Sequence, residues 1–260
     1  MLTELDPRVT AHLNLDAVLG TLPLLAELVP EAEKLLLPLT KPVTVQVSVR
    51  GGPRGALIFD RSGIRHGAGS GGVVVRLLFT SPGHFNRVID GQAQPVPLGG
   101  PAGLRFLTRV FTPLTEVLGR YLEPGAEDLR DPVFRAASAR LRLRVVVAAI
   151  VVIGNQDRGG RFSAGQIPDG RLDLEVGDDL RHQILVGGHR LTLLAEPAGP
   201  PHAVLRFSDL ETAGQVLSGE LSAVSAMSGG RIAMRGLIPM VDNVNRILDR
   251  AAQYLDKGEK

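Results

Sequence analysis

The sequence predicts an α+β protein of two tandem domains, residues 1–123 and 131–256, each a mainly antiparallel sheet of about five strands covered by helices. Three observations predict it. The stretches "FTSPGHFNRVIDG" (Phe79–Gly91) and "FSDLETAGQVLSG" (Phe207–Gly219) share an offset of 128 positions, and Val88-Ile89 and Val216-Leu217 stand at matching places within them. The Asp-Pro pairs of "DPRV" (Asp6–Val9) and "DPVF" (Asp131–Phe134) each read as an N-cap followed by proline in the first helical turn. The only two tyrosines fall in Tyr121-Leu122 and Tyr254-Leu255, near the end of each half. Self-similarity of this kind indicates one structural unit written twice.

Taken in order, each half opens with an apolar helical region, about 9–37 and 132–153. Alternation of apolar and polar residues then predicts strands at "VTVQVSV" (Val43–Val49) and "LDLEV" (Leu172–Val176). "GALIFD", "GIRHG" and "VVVRLLF" add three short strands between Gly-rich turns; "HQILVGG", "RLTLLAE" and "HAVLRF" are their counterparts. A short amphipathic helix comes next. Ser81-Pro82 starts the first copy, and Ser208 with Glu211 reads as a capping box for the second. Phe85, Val88 and Ile89 share one face, as do Ala213, Val216 and Leu217, and Gly91 and Gly219 stand where a left-handed residue ends a helix. A last strand is expected near 104–107 and 231–235, aligning Leu104 with Ile232 and Phe106 with Met234. Closing helices carry Leu114, Val117, Leu118 and Tyr121 in one half, and Val241, Val244, Ile247, Leu248 and Leu255 in the other. The linker "EPGAEDLRDP" is too short to let the domains drift far apart.

Composition narrows the function. The chain of 260 residues is 44% hydrophobic but 4% aromatic, without Trp, so a core of Leu, Val, Ile and Ala offers few stacking surfaces for single-stranded nucleic acid. It has no cysteine, which removes disulfides and thiolate metal sites. The net charge is +2; lysine occurs only at Lys34, Lys41, Lys257 and Lys260, and arginine dominates the bases. Arg130, Arg135, Arg140, Arg142 and Arg144 cluster, which suits either an anionic headgroup or polyanion, or a solvated helix face. The N-terminus "MLTELDPRV" lacks a secretory pattern, and the apolar run Val145–Gly154 is about half a membrane span. A soluble, cytoplasmic protein is expected.

These elements resemble the sterol carrier protein type 2 family. The likeness rests on Phe79–Gly91 and the elements between it and Leu122, and on Phe207–Gly219 and the elements between it and Leu255, as two tandem copies. It implies a five-stranded sheet and helices enclosing an apolar tunnel for fatty acids, acyl-CoA, sterol-like or isoprenoid lipids, without catalysis or cofactor. It also leaves room for a partner enzyme and for transient contact with a membrane surface. The candidate ligand-binding residues are Phe85, Val88, Phe106, Phe111, Leu114 and Leu118 in the first half, and Val216, Leu217, Met234, Leu237, Met240, Val244 and Leu248 in the second. Flexible aliphatic walls suit a ligand held by apolar area removed from water, and Met227, Met234 and Met240 suit an irregular wall, although ordinary core packing explains each equally well. The chief alternative is an interaction or accessory protein with filled pockets, supporting an enzyme of lipid or quinone metabolism.

Other chemistry finds little support. "GAGSGG" (Gly67–Gly72) leads into a strand and reads as a turn, not a dinucleotide loop. The histidines His12, His66, His84, His182, His189 and His202 form no metal-ligand spacing, and His84 is expected on a solvated face. "GNQDRGGRFSAGQIPDG" (Gly154–Gly170) reads as a long polar loop. Its Asn155, Asp157 and Asp169 superficially resemble a segment of the diacylglycerol kinase type, without the Gly-rich phosphate-binding segment such enzymes need.

Overall fold

A computed structural model describes residues 5–69, 71–178, 180–196, 199–218 and 220–255, with the side chains of 217, 218 and 223 left aside. The chain divides into two compact units, 1–141 and 142–260, and the fold is α+β with two five-stranded sheets.

The first unit begins with helix α1 (Pro7–His12), whose N-cap Asp6 accepts a hydrogen bond from the Arg8 N–H at 2.8 Å. It continues through a π-helical stretch (Leu13–Val18) and a 3-10 turn (Leu19–Thr21) into α2 (Leu22–Leu28) and α3 (Pro30–Leu36). The run Pro7–Leu28 is long and apolar enough to cross a membrane, yet 61% of its most apolar window is buried within the protein. The strands are β1 (Val43–Val49), β2 (Arg54–Asp60), β3 (Gly63–His66), β4 (Val73–Phe79) and β5 (Val96–Leu98). Helix α4 (Pro82–Ile89) lies between β4 and β5, with Ser81 Oγ accepting from the His84 N–H at 3.1 Å. Gly91 adopts φ 71° just beyond it, a left-handed end that glycine alone takes at no steric cost. Helix α5 (Gly100–Phe106), a second π-helical stretch (Leu107–Phe111) and α6 (Thr112–Leu122) complete the unit before α7 (Pro132–Gln156), within which the unit boundary falls.

The strand expected at 104–107 is therefore helical, and the alignment of Leu104 and Phe106 with Ile232 and Met234 does not survive. The physical reason lies in the spacing. Gly103, Phe106, Leu107, Val110 and Leu114 are all buried, a three-and-four recurrence that fits one helical face. The fifth strand is instead the short "VPL" of β5, whose three residues are exposed.

In the second unit α7 leads to α8 (Arg158–Ala164), then β6 (Gly170–Val176), β7 (Leu180–Gly187), β8 (Arg190–Leu194) and β9 (Ala203–Phe207). Helices α9 (Leu210–Ser218) and α10 (Ala223–Ser228), strand β10 (Ile232–Gly236) and helix α11 (Ile238–Leu255) complete it. Two expectations are corrected here. The expected polar loop 154–170 contains α8, capped by Asp157, whose carboxylate accepts from the Gly160 N–H at 2.9 Å. The cap of α9 is Asp209, not Ser208: its carboxylate accepts from the Thr212 N–H at 2.7 Å, and Ser208 Oγ donates to that same carboxyl group. The helix starts one residue later than a capping box at Ser208 would place it. Gly219 lies outside the described residues.

The sheet orders are β3-β2-β1-β4-β5 and β8-β7-β6-β9-β10. Both sheets are mixed: β1 pairs with β4, and β6 with β9, in parallel, and the remaining pairs are antiparallel. In each sheet three meandering strands are followed by one that lies on the other side of the first and parallel to it. Val43, Val45, Val47 and Val49 of β1, and Leu172, Leu174 and Val176 of β6, turn to the buried faces.

Candidate functional site

In the first unit all six candidate residues join one hydrophobic core. Phe85, Phe106, Leu114 and Leu118 are buried within it, and Val88 and Phe111 pack against it half-buried. Three aromatic rings interlock at its centre: Phe59 meets Phe106 at 5.2 Å and Phe111 at 5.9 Å, both edge to face. Phe79 and Phe85 pair at 4.7 Å. The small cleft beside Phe111, walled by Leu15, Leu19 and Val47, has free space for about one water molecule. This interior is filled by side chains. His84 is not on a solvated face: it is half-buried, its Nε2 lies 3.0 Å from the Gln94 carbonyl, and its ring packs edge-on against Phe79.

The second unit distributes its candidates differently. Met240 and Val244 are buried and Leu248 half-buried along one stripe of α11. Val216 is half-buried on α9, while the Leu217 side chain lies outside the described residues. Met234 and Leu237 are each 41% exposed and Ile238 is 78% exposed, so the junction between β10 and α11 presents large apolar side chains to solvent. Met234 nevertheless belongs to the core face of the sheet by register. His182 stands opposite Leu174, Leu174 beside Leu205, and Leu205 opposite Met234, forming a cross-strand row from β7 to β10.

No functional role for His182 is evident in the sequence, since no second histidine or carboxylate cluster accompanies it. Its place was legible in the alternation Leu180-x-His182-x-Ile184-x-Val186, which turns it to the side of the buried Ile184 and Val186. Its Nε2 is buried with no hydrogen-bond partner among the described residues. Burial, reinforced by the charge of Arg144, pushes its pKa down to about 4. Burial also lowers the pKa of Arg144 and Arg142, which are half-buried on α7, whereas Arg130, Arg135 and Arg140 are exposed.

The three polar residues of the kinase-like segment are each engaged structurally. Asn155 hydrogen-bonds both the N–H and the carbonyl of Leu191, at 3.0 and 2.7 Å. Asp169 accepts from the Gly188 N–H at 3.0 Å. Asp157 caps α8 and also accepts from Tyr254 Oη at 2.8 Å and Arg250 Nη2 at 3.2 Å, tying α11 to α8. Burial would raise its pKa, but the Gly160 N–H, Arg250 and Tyr254 together hold it below the ordinary aspartate value. On strand β6, Arg171, Asp173 and Glu175 are buried and charged; Arg171 Nε meets Asp173 Oδ1 at 2.7 Å, and Arg181 Nη2 meets Glu175 at 2.9 Å. Among the described residues no three His, Asp or Glu side chains group as metal ligands.

No family model matches the chain, and no curated protein does. Solved sterol-carrier-type domains are similar to it. A UbiJ-SCP2 ubiquinone synthesis protein shares 16% identity at a TM-score of 0.32, covering 39% of this chain and 88% of its own. The sterol carrier protein domain 2 of Helicoverpa armigera shares 15% at 0.31, covering 43% and 86%. Sterol Carrier Protein 2 Like 2 from Aedes aegypti shares 14% at 0.25, covering 39% and 95%.

Proposed function

We propose that this chain is a cytoplasmic, non-catalytic carrier of a lipid-like ligand, built of two tandem sterol-carrier-like domains (1–123 and 131–256), and that the second domain holds the ligand between its sheet and α11. The observation that carries this reading is the apolar junction between β10 and α11. Met234, Leu237 and Ile238 stand exposed there beside the buried Met240 and Val244, while Phe59, Phe106 and Phe111 occupy the interior of the first unit. Large apolar side chains in water next to a helix that covers an aliphatic sheet suit a mouth through which a chain enters. Outward movement of α11 would admit the ligand to the stripe Met240, Val244 and Leu248. Phe85, Val88, Phe106, Phe111, Leu114 and Leu118 then serve as packing in the first domain. That filled domain favours a second reading, an accessory protein whose exposed apolar edge meets a membrane surface or an enzyme of lipid or quinone metabolism.

Organic extraction of the purified protein, with native mass spectrometry, tests the first reading. Co-purified lipid, or saturable uptake of a fluorescent fatty acid weakened at least about tenfold by Val244→Asp, supports it. A protein that is empty and takes up no such probe overturns it.

A further inference from the structure

The core face of the second sheet carries basic groups that an ordinary apolar core has no use for. Helix α7 runs over this face. A Cβ on its Gly154 would meet Leu191 of β8 at 3.0 Å and Ile247 of α11 at 3.4 Å, and Asn155 bonds the Leu191 backbone. Leu191 stands opposite Val186 on β7, and His182 lies four residues back along that strand. Arg144 stands ten residues of helix, about 15 Å, before Gly154, and His182 stands four residues of strand, about 14 Å, before Val186, so the two spans match in length. The guanidinium is close enough for its charge to act on the ring. Among the described residues Arg144 forms no ion pair with a carboxylate, although it is half-buried and an arginine stays charged. A half-buried cation beside a buried, unpartnered ring nitrogen costs stability unless a polar partner arrives.

From His182 the cross-strand row continues through Leu174 and Leu205 to Met234, which opens to solvent at the sheet edge. The row thus has a basic end inside, an aliphatic middle and an accessible rim. We propose that this face holds an amphiphile with an anionic headgroup, a carboxylate or a phosphate, with Arg144 and His182 receiving the headgroup and Leu174, Leu205 and Met234 lying along its chain. Arg144 supplies the charge, and the His182 Nε2 gains the partner it lacks. This rests on the carrier reading above and deepens it: the second domain would select anionic lipids over neutral ones of the same length.

The full chain is incubated with oleate, oleyl phosphate or oleyl alcohol, freed of unbound lipid by gel filtration, and the bound lipid is extracted and quantified. At least one anion should bind at least about tenfold more tightly than the alcohol, as a charge-assisted hydrogen bond requires. Which anion wins identifies the headgroup. Arg144→Gln should abolish the preference by weakening the anions alone, Arg144→Lys should retain most of it, and His182→Gln should reduce it. The wild-type comparison needs no variant to fold. Equal binding of all three lipids, or a loss in Arg144→Gln that is the same for all three, overturns the headgroup assignment and leaves the carrier reading standing. Binding of none of them overturns both.

Discussion

Asp157 gathers three partners from two helices around one buried carboxylate. Replacing it with Ala removes a helix cap and takes one buried partner each from Arg250 and Tyr254, so a loss of about 3 kcal/mol in urea unfolding is expected. Its depressed pKa adds stability that is present above the unfolded value of 3.8 and lost as pH falls below it; Asp157→Asn should flatten that acid limb. His182 gives the opposite charge balance and a different window. Its pKa falls from 6.5 to about 4 on folding, so the unfolded chain binds the extra proton between those values. Stability is therefore full well above pH 6.5 and declines toward pH 4, by about 3 kcal/mol. Unfolding midpoints at about pH 7 and about pH 4.5 should differ less in His182→Gln than in the wild type. A period-two pattern could place His182 on the buried face, but not tell that Arg144, about forty positions earlier, would stand near it.

Among the elements, those whose residues recur with a clear period were legible: β1, β2, β4, β6 to β9, α4, α6 and α11 all lie where the sequence predicts them. The misread ones are held by tertiary contacts. Helix α8, "RGGRFSA", holds two glycines and propensity argues against it. It exists because Asp157 caps it and because Gly160 lets it press on α7. A Cβ at Gly160 would come within 2.2 Å of the Ile153 carbonyl oxygen, backbone that cannot yield. Gly160→Ala should therefore destabilise the protein by about 2 kcal/mol or more, despite alanine's better helix propensity; equilibrium unfolding measures it. Strand β5 escaped notice because "VPL" is too short to show alternation and contains a proline, tolerated there because β5 is an edge.

For the molecule as a whole, the sequence conveyed two five-stranded sheets with helices but not their parallel centres, since alternation reports which face a residue takes and not which strand lies beside it. Six of the eight phenylalanines fall before the unit boundary at 141, and this asymmetry gives the first unit the aromatic core. Phe59→Ala should cost about 3–5 kcal/mol in stability while the native protein's lipid uptake per molecule stays unchanged. Calorimetry and fatty-acid titration of the same sample separate the two effects. The Asn155 amide, finally, behaves as one residue of a missing strand: it occupies both backbone groups of Leu191 on the outermost strand β8. An open strand edge is a template for joining further chains. What looks like a local hydrogen-bond pair thus withholds the backbone groups of Leu191 from any strand that would join at that edge.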